Sequence, residues 1–337
     1  MRAGGARPAA DPQPPPTGAG ARAGIRWRHC ALLLTALAGL AGAARADTWY
    51  VTVAGLGGEP DYEQRFTAEA ADLDRIFRSL GDDAHVTTLS GAAATRAHLT
   101  QVLEDVARRA APRDVFVLVL IGHGSFDGVE YRFNLPGPDI SAGALAELCN
   151  AIPAARQLIV NTSSASGGSV AALGRSGRAV IAATKSGTEK NATVFARYFV
   201  EALQDPAADT DKNQAITALE ALRYAQAKTA AFYESQKRLA TEHAIFQEGA
   251  RGPPVRADAR DAGAAADLLA GLTLMRLGSP EVASDPARRA LLRRKQELEQ
   301  QIDLLKYQRA AMSSEDYRQQ LTDALVKLAK VQGELDK

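Results

Sequence analysis

Cysteine is scarce in this sequence, with two residues among 337, Cys30 and Cys149. Cys30 falls in an amino-terminal segment that we expect to be removed, so the mature chain keeps Cys149 alone and cannot form an internal disulfide bond. Cys149 lies in the run LAELCNAI, whose helical pattern is typical of a core position and not of a nucleophile. The fold must therefore rest on a packed core, for which the chain is long enough.

The sequence also lacks an excess of charge of one sign and any long apolar run. It contains 40 lysines and arginines and 39 aspartates and glutamates, which gives a formal net charge of +1. The first 46 residues carry six arginines and one aspartate, so their removal brings the net charge to about −4, and nothing indicates a nucleic-acid partner. The apolar stretch at residues 31–40 is shorter than the roughly 20 residues that a transmembrane helix needs, so we expect no membrane span.

The amino-terminal residues 1–46 have the layout of a secretory signal preceded by an extension. Their first half is rich in Ala, Gly, Pro and Arg without periodicity. Two arginines then precede the apolar stretch, and the tripeptide ARA at residues 44–46 has the form of a cleavage site. We therefore expect a secreted or periplasmic protein whose mature chain begins at Asp47.

From Thr48 to about Ala202, short apolar runs rich in β-branched residues alternate with helical patterns. Such alternation predicts an α/β fold in which helices sandwich a mostly parallel sheet. The predicted strands are TWYVTVA, HVTTL, VFVLVLI, QLIVNT and AVIAAT, and the predicted helices span about 62–79, 95–110, 141–151, 169–174 and 192–204. The stretch VEYRFNLPGPDIS between the third and fourth strands alternates and then reaches Pro-Gly-Pro, which predicts a small hairpin or an extended excursion.

A second helical pattern covers about 215–248, so we place the α/β domain at residues 47–248. Gly, Pro and Ala then break all periodicity, which predicts a linker region over 249–282. Leucines at sevenfold spacing follow and predict a helical hairpin over 283–337. The heptads favour either a hairpin that packs on itself or a coiled coil that forms a homodimer.

Two of the predicted strands end in chemically capable side chains. VFVLVLI is followed by Gly-His-Gly-Ser, which places His123 after the third strand, and QLIVNT is followed by SSASGG. In an open parallel sheet the ligand site lies beyond the carboxyl ends of the strands, so we expect His123 and the serines to share one site. A histidine at such a strand end titrates near neutral pH and is accessible for proton transfer.

These segments resemble a known family. The runs AGLGGEPDYEQRFTAEAADLDRIFRSLG, IGHGSFDG, IVNTSSASGGS and AATKSGTEKNA are similar in order and spacing to the legumain branch of the caspase-type peptidases, over roughly residues 48–203. The resemblance implies that His123 is the general base and acid, and that Ser164 stands where the family has its nucleophilic cysteine. It also implies that the backbone amides of Gly124 and Ser164 form the oxyanion hole.

Of the other residues that the family has in its cleft, this sequence contains some and replaces others. Arg65 matches the pocket arginine of the family, and Glu189 lies where the family lines its substrate cleft, so both are candidate substrate-binding residues. Gly57 stands in place of an asparagine that follows the first strand, and Thr162 in place of an acid near the nucleophile. The resemblance therefore implies a cleft of the family's type in which part of the machinery is replaced.

The exchange of cysteine for serine leaves three functions open. A thiol readily forms a thiolate beside a histidine, whereas a hydroxyl needs a well-oriented base and usually a third residue. One function is an exported peptidase that hydrolyses peptide bonds through Ser164 and His123. Another is a non-catalytic relative that binds peptides or protein partners in the same cleft, and the third is an assembly protein that acts through its carboxyl-terminal helices.

An acidic segment follows the predicted parallel sheet. Residues 209–220, DTDKNQAITALE, carry oxygen ligands in the register of a calcium-binding loop: Asp209, Asp211, Asn213, Thr217 and Glu220 at positions 1, 3, 5, 9 and 12, with the Ala215 carbonyl at position 7. Gln214 stands where the pattern has glycine, and a left-handed turn there costs about 1–2 kcal/mol. We expect a Ca²⁺ site, and the alternative is an acidic, capped helix start.

Overall fold

The structure is a computed structural model that describes residues 46–250, 252–259, 265–277 and 311–335, together with single positions between 287 and 305. The strands are β1 (Thr48–Ala54), β2 (Ala84–Leu89), β3 (Val115–Ile121), β4 (Gly124–Phe126), β5 (Tyr131–Phe133), β6 (Ile140–Ser141), β7 (Arg156–Asn161), β8 (Arg178–Ala182), β9 (Ala215–Thr217), β10 (Ile245–Glu248), β11 (Val255–Arg256) and β12 (Thr273–Arg276). The helices are α1 (Pro60–Arg78), α2 (Arg96–Arg109), α3 (Ala142–Ala151), α4 (Val170–Leu173), α5 (Phe195–Ala202), α6 (Ala218–Ser235), α7 (Asp267–Ala270) and α8 (Ser314–Leu335).

The central sheet has seven strands in the order β11-β10-β8-β7-β3-β1-β2. Neighbours from β2 to β8 run parallel, whereas β10 lies antiparallel to both β8 and β11. All residues of β3 are buried, because it lies in the middle of the sheet and helices cover both of its faces. Leu120 of β3 pairs with Asn161 of β7, so the carboxyl ends of these two strands lie side by side.

Helices cover both faces of the sheet and form two hydrophobic cores. Leu73 of α1 and Phe199 of α5 are buried in the core on one face, together with side chains of α6 and α7. Leu103 of α2 and Cys149 of α3 are buried in the core on the other face. Full burial of such apolar side chains contributes about 1.5–3 kcal/mol each. The predicted fold class, a mostly parallel sheet sandwiched by helices, is confirmed, and Cys149 is a core residue as predicted.

The connection between β3 and α3 forms a small antiparallel sheet, as the alternating sequence predicted. Its strand order is β4-β5-β6. Phe126 of β4 packs against Gly168 and Gly187, where an added Cβ atom would lie 2.8 and 2.3 Å from its ring. Tyr131 of β5 is 1% exposed. This small sheet therefore packs over the carboxyl edge of the central sheet, where the site was expected.

The structure corrects the elements predicted after residue 215. The predicted helical zone over 215–248 ends at Ser235 with α6, and β10 follows as a strand of the central sheet. The described part of the predicted linker region 249–282 contains β11, α7 and β12. Leu269 of α7 is buried in the core, and β12 pairs with β9. The α/β domain therefore extends to β12, because pairing between distant segments gives these short runs a place in the sheets.

The carboxyl-terminal helix α8 is present, as the heptad pattern predicted. It begins after Ser313, whose hydroxyl oxygen accepts a hydrogen bond from the Asp316 amide at 3.0 Å. Ala324 of α8 is buried against Ile302 and Leu305 of the same chain. The described part of the heptad pattern therefore packs within one chain, and a homodimer through these helices stays a prediction.

The expectations about export and membrane association concern the chain as a whole. The predicted signal, residues 1–46, lies outside the described residues except for its last position, so secretion or periplasmic retention stays a prediction. Among the helices that the structure describes, none combines the length and the apolar character needed to cross a membrane.

Candidate active site

The structure brings the two predicted strand ends together. Thr162, just after β7, donates its amide and its hydroxyl to the Leu120 carbonyl of β3, at 2.9 and 2.8 Å. His123 and Ser164 therefore leave neighbouring strands at the same edge of the sheet. Gly124 contacts Ser164 directly through two hydrogen bonds. The residues predicted to form a shared site thus lie in one place.

The hydroxyl of Ser164 is held by the backbone of Gly124. Its oxygen accepts a hydrogen bond from the Gly124 amide at 3.0 Å, and the hydroxyl donates to the Gly124 carbonyl at 3.0 Å. Ser164 is only 2% exposed. A Cβ atom at Gly124 would lie 2.6 Å from the Ser164 carbonyl oxygen, so this close approach requires glycine. The hydroxyl is therefore directed toward main-chain atoms and away from solvent.

The ring of His123 packs against aromatic side chains of α1. It lies edge-on to Tyr62 and Phe66, with ring centroids 4.8 and 5.1 Å apart. Burial, and then the nearby Arg65, lower the pKa of His123, while a hydrogen bond with the backbone of Gly57 acts in the opposite direction. The imidazole is therefore mainly neutral at pH values near 7.

Gly57 stands where the family resemblance implies an asparagine, and the structure leaves no room for a side chain there. The Gly57 amide donates to Oε2 of Glu63, in the first turn of α1, at 2.9 Å. A Cβ atom would lie 2.4 Å from the Glu63 amide nitrogen and 2.6 Å from its Cα atom. These are backbone atoms of a helix, which cannot move aside separately. The hydrogen bond to the histidine ring therefore comes from the main chain of Gly57 and not from an asparagine side chain.

A buried hydrogen-bond network that sequence reasoning missed lies beneath the serine-rich segment. The hydroxyl oxygens of Tyr131 and Ser163 are 2.6 Å apart, and Ser163 donates to Oδ1 of Asn161 at 2.8 Å. Nδ2 of Asn161 donates to the Ser169 hydroxyl at 3.1 Å. The buried polar groups of these side chains therefore form hydrogen bonds with one another, and these bonds fix the path of the chain. An asparagine at the end of an apolar strand is the sequence signal for such a network, since buried polar groups are normally paired.

Ala165 adopts a left-handed backbone conformation directly after Ser164. Its φ angle is 56°, a conformation that costs an alanine about 1–2 kcal/mol. Its amide donates to the Glu189 carbonyl at 2.8 Å, which connects this turn to the loop after β8. Strain of this kind persists only where the surrounding contacts impose it.

The carboxylate of Glu189, a candidate substrate-binding group, is already bonded within the fold. It lies 2.6 Å from Nδ1 of His243 and accepts hydrogen bonds from the amides of His243 and Lys185, at 3.2 and 2.8 Å. The Lys185 ammonium group lies 3.4 Å from it, and the Glu189 side chain is 11% exposed. Glu189 therefore joins the loop after β8 to the segment before β10, a role that the sequence did not reveal.

Arg65, the second candidate substrate-binding residue, lies on α1 beside His123. Its guanidinium group donates to the Thr193 carbonyl at 3.1 Å and packs over the rings of Tyr62 and Phe66, at 5.0 and 5.2 Å from their centroids. The side chain is 28% exposed. Arg65 and His123 share the same two aromatic rings, so they form one surface. The Arg65 side chain is therefore partly accessible from solvent, and arginine is a residue type that binds anionic ligands.

Three carboxylates of the predicted calcium loop lie together. Ligand atoms of Asp209, Asp211 and Glu220 are within 4.8 Å of one another. Partial desolvation, and then the neighbouring carboxylates of Glu220 and Asp209, raise the pKa of Asp211. Hard oxygen donors at this separation fit the coordination of Ca²⁺.

The other predicted ligands of this loop are hydrogen-bonded within the chain. Oδ1 of Asn213 accepts from the Ala215 amide at 2.8 Å. Thr217 and Glu220 form a capping box at the start of α6. Gln214 has a φ angle of 64°, the left-handed turn that the loop pattern requires at this position. The alternative from the sequence, a capped helix start, is therefore present, and it leaves the three carboxylates together.

Comparisons with known proteins found similar structures at low sequence identity. No protein-family model matches the sequence, and no curated protein does. A crystal structure from Geobacter sulfurreducens matches with 15% identity and a TM-score of 0.42, over 62% of this chain and 96% of that chain. The Drosophila initiator caspase Dronc matches with 12% identity and a TM-score of 0.39, over 63% of this chain and 83% of the caspase. Caspase-1 from Spodoptera frugiperda matches with 12% identity and a TM-score of 0.42, over 60% of this chain and 86% of the caspase.

Proposed function

We propose that this protein is a non-catalytic relative of the caspase-type peptidases that binds a peptide at the carboxyl edge of its sheet. The observation that carries the proposal is the pair of hydrogen bonds between the Ser164 hydroxyl and the backbone of Gly124. The family resemblance assigns the Ser164 hydroxyl to nucleophilic attack and the Gly124 amide to the oxyanion hole. In this structure the hydroxyl and the backbone of Gly124 are hydrogen-bonded to one another.

A serine nucleophile has to transfer its proton to a general base. The Ser164 hydroxyl donates to a backbone carbonyl, which does not accept a proton near neutral pH, and both of its hydrogen bonds go to Gly124 instead of His123. The Gly124 amide, which would stabilise an oxyanion, donates to the hydroxyl oxygen. Loss of a single oxyanion donor typically lowers kcat by about 10²–10³. These contacts together favour binding over hydrolysis.

The same edge of the sheet keeps groups that suit a peptide ligand. Arg65 offers a partly exposed side chain beside His123, and arginine binds carboxylates through paired hydrogen bonds. Leu56, which follows β1 at this edge, is 42% exposed and offers an apolar contact. We infer that the ligand carries an acidic side chain next to an apolar residue.

Labelling with a serine-directed fluorophosphonate probe tests the absence of catalysis. The protein from Asp47 onward and its Ser164→Ala variant are compared with an active serine hydrolase at the same concentration. We expect no labelling of either form, because the hydroxyl is buried and lacks contact with a base. A label on the wild-type protein that Ser164→Ala removes would show that Ser164 is an activated nucleophile and would contradict the proposal.

A second arm of this test uses Ser164→Cys and iodoacetamide. Burial raises the pKa of the Cys149 thiol to about 12, so the native cysteine adds little background and can stay. We expect the new thiol to react no faster than a free thiol, with no effect of His123→Ala. Fast alkylation that His123→Ala suppresses would show that the catalytic geometry persists and would contradict the proposal.

We further propose that the loop at residues 209–220 binds Ca²⁺ through Asp209, Asp211 and Glu220. The sequence register and the meeting of the three carboxylates support this site. Because like charges at this separation repel one another, a cation among them is favourable. Binding to the native state alone stabilises it by about 2.7 kcal/mol when the ligand is at 100 times its Kd.

Calcium is therefore expected to raise the melting temperature of the wild-type protein, measured by differential scanning fluorimetry in Ca²⁺ and in chelator. Asp211→Asn should remove this increment while leaving the calcium-free protein as stable as before or slightly more stable, because one of the repelling charges is gone. Asp82→Asn, an exposed position before β2, is the control and should keep the increment. Identical melting in Ca²⁺ and chelator would rule out the site.

A further inference from the structure

The carboxylate of Glu69 is buried beside the arginine of the proposed binding surface. Glu69 follows Arg65 by four residues on α1, and it is 8% exposed in the region where α5 packs on α1. Its Oε1 lies 3.9 Å from Nε of Arg65, which is longer than a hydrogen bond. The two groups are therefore coupled by charge without being fixed in one hydrogen-bonded arrangement.

Two polar atoms at this contact are left without hydrogen bonds. Within the part of the chain that the structure describes, Nε of Arg65 and Oε2 of Glu69 are both buried and have no hydrogen-bond partner. Buried polar atoms are normally paired, so this contact is an exception that calls for a reason. The attraction between the Glu69 carboxylate and the Arg65 guanidinium group can therefore change when Glu69 gains or loses a proton, and no hydrogen bond between them has to break.

The charged groups around Glu69 come from two helices. Arg65 and Asp72 lie on α1 with it, and Arg197 lies on α5, which packs against α1. Burial raises the pKa of Glu69 to about 7, and the two arginines offset part of this rise while Asp72 adds to it. Glu69 therefore changes its charge close to neutral pH, next to Arg65.

Arg65 has two further ionisable neighbours. The pKa of His123 is lowered by burial and then by Arg65, so this ring loses its proton at lower pH than Glu69. Burial raises the pKa of Glu242, whose carboxylate accepts hydrogen bonds from two backbone amides at the start of α5. Glu242 is thus tied to the helix by both of its oxygens, whereas Oε2 of Glu69 is not bonded.

We propose that Glu69 is a positioning residue whose charge sets how tightly Arg65 binds a carboxylate ligand. This inference deepens the proposed function and rests on it. When Glu69 is ionised, it attracts the guanidinium group and compensates its charge, so a ligand carboxylate binds less tightly. When Glu69 is protonated, the charge of Arg65 is available to the ligand. The cleft therefore binds acidic peptides more tightly below the pKa of Glu69 than above it.

Fluorescence anisotropy with an amino-terminally labelled tetrapeptide amide, Gly-Leu-Asp-Gly-NH₂, and its asparagine counterpart tests this inference, because the aspartate side chain is then the one carboxylate that distinguishes the two peptides. For the wild-type protein, the Kd of the aspartate peptide should rise about fivefold from about pH 6 to about pH 8, which is the part of a tenfold coupling that falls within this range. Glu69→Gln keeps the shape of the side chain without its charge, so the Kd should change less than about twofold over the same range. Arg65→Gln should abolish the preference for aspartate over asparagine.

Two controls separate this effect from other titrations. Glu104→Gln, an exposed position on α2 on the opposite face of the sheet, should keep the wild-type pH profile. His123 is still present in Glu69→Gln, so any pH dependence that remains there belongs to other groups such as the histidine.

Linkage is reciprocal, so the bound aspartate peptide should raise the pKa of Glu69 by about one pH unit. Carbon-13 NMR of the carboxyl groups measures this shift in the wild-type protein, which keeps the test informative if the variant fails to fold.

The possible failures of the inference and of the proposed function are distinguishable. If Glu69→Gln shows the same pH profile as the wild-type protein, the role of Glu69 is overturned and the binding function stands. If the asparagine peptide binds as tightly as the aspartate peptide at about pH 6, Arg65 does not recognise the carboxylate, and the inference is overturned. If neither peptide binds the wild-type protein at either pH, the proposed function and the inference are overturned together.

Discussion

Replacing Arg178 with methionine should lower the free energy of unfolding by roughly 3–5 kcal/mol. Arg178 is 1% exposed, and burial lowers the pKa of its guanidinium group. It donates hydrogen bonds to Oε1 of Gln157 at 2.9 Å, to the Leu173 carbonyl at 2.8 Å and to Oδ1 of Asn150 at 3.0 Å. Methionine fills much of the same volume but cannot donate to the buried oxygens of Gln157 and Leu173. Urea unfolding followed by circular dichroism measures the loss.

The effect should be large because Arg178 also orients a second buried side chain. Nε2 of Gln157 is within hydrogen-bond distance of three carbonyls at and just beyond the end of α3, those of Cys149, Ile152 and Ala154. Arg175→Met is the control, since Arg175 is exposed although it also bonds to Asn150. Arg175→Met should lower the free energy of unfolding by no more than about 1 kcal/mol. Equal losses in both variants would contradict the role of the buried guanidinium group.

Gly167→Ala should destabilise the protein by roughly 3 kcal/mol, because a methyl group at this position overlaps with backbone atoms. A Cβ atom there would lie 2.3 Å from the Ser186 amide nitrogen, 2.5 Å from the Thr184 carbonyl oxygen and 2.6 Å from the Lys185 carbonyl carbon. The Gly167 amide also donates to the Thr184 hydroxyl at 2.9 Å, which keeps the two segments close. The loss is measured by the same urea unfolding.

Gly143→Ala is the matched control for this substitution. Gly143 lies in the first turn of α3, and a Cβ atom there would meet its nearest neighbours at 3.9 Å. Alanine is favoured over glycine in a helix by about 0.5–1 kcal/mol, so this variant should be as stable as the wild-type protein or more stable. If Gly167→Ala were equally harmless, the approach of the serine-rich turn to the loop after β8 would be looser than the structure shows.

The parallel strands could be predicted because their signal is local. A strand such as VFVLVLI is buried on both faces, and this requirement appears directly as a continuous apolar run. The caps of α2 and α3 are local as well, since the Thr95 hydroxyl accepts from the His98 amide and the Ser141 hydroxyl from the Ala144 amide. Such features depend on residues a few positions apart, so the sequence alone displays them.

The short strands after α6 could not be predicted for the opposite reason. β10 pairs with β8, and β12 pairs with β9, over separations of about 60 residues in each case. Each of these strands has at most four residues, too few to show a period that distinguishes a strand from a helix or a linker. Their structure is imposed by partners that are distant in the chain.

At the candidate site, the sequence by itself determined which strand ends lie together, and the tertiary structure decided what their side chains bond to. Parallel strands place their carboxyl ends at one edge, so His123 and Ser164 had to lie together once the strands were identified. The direction of the Ser164 hydroxyl depends on the backbone of Gly124, 40 residues away. The burial of Glu69 beside Arg65 likewise depends on the packing of α5 on α1. Hydrogen-bond direction and burial are properties of contacts between elements, and no pattern along the chain records them.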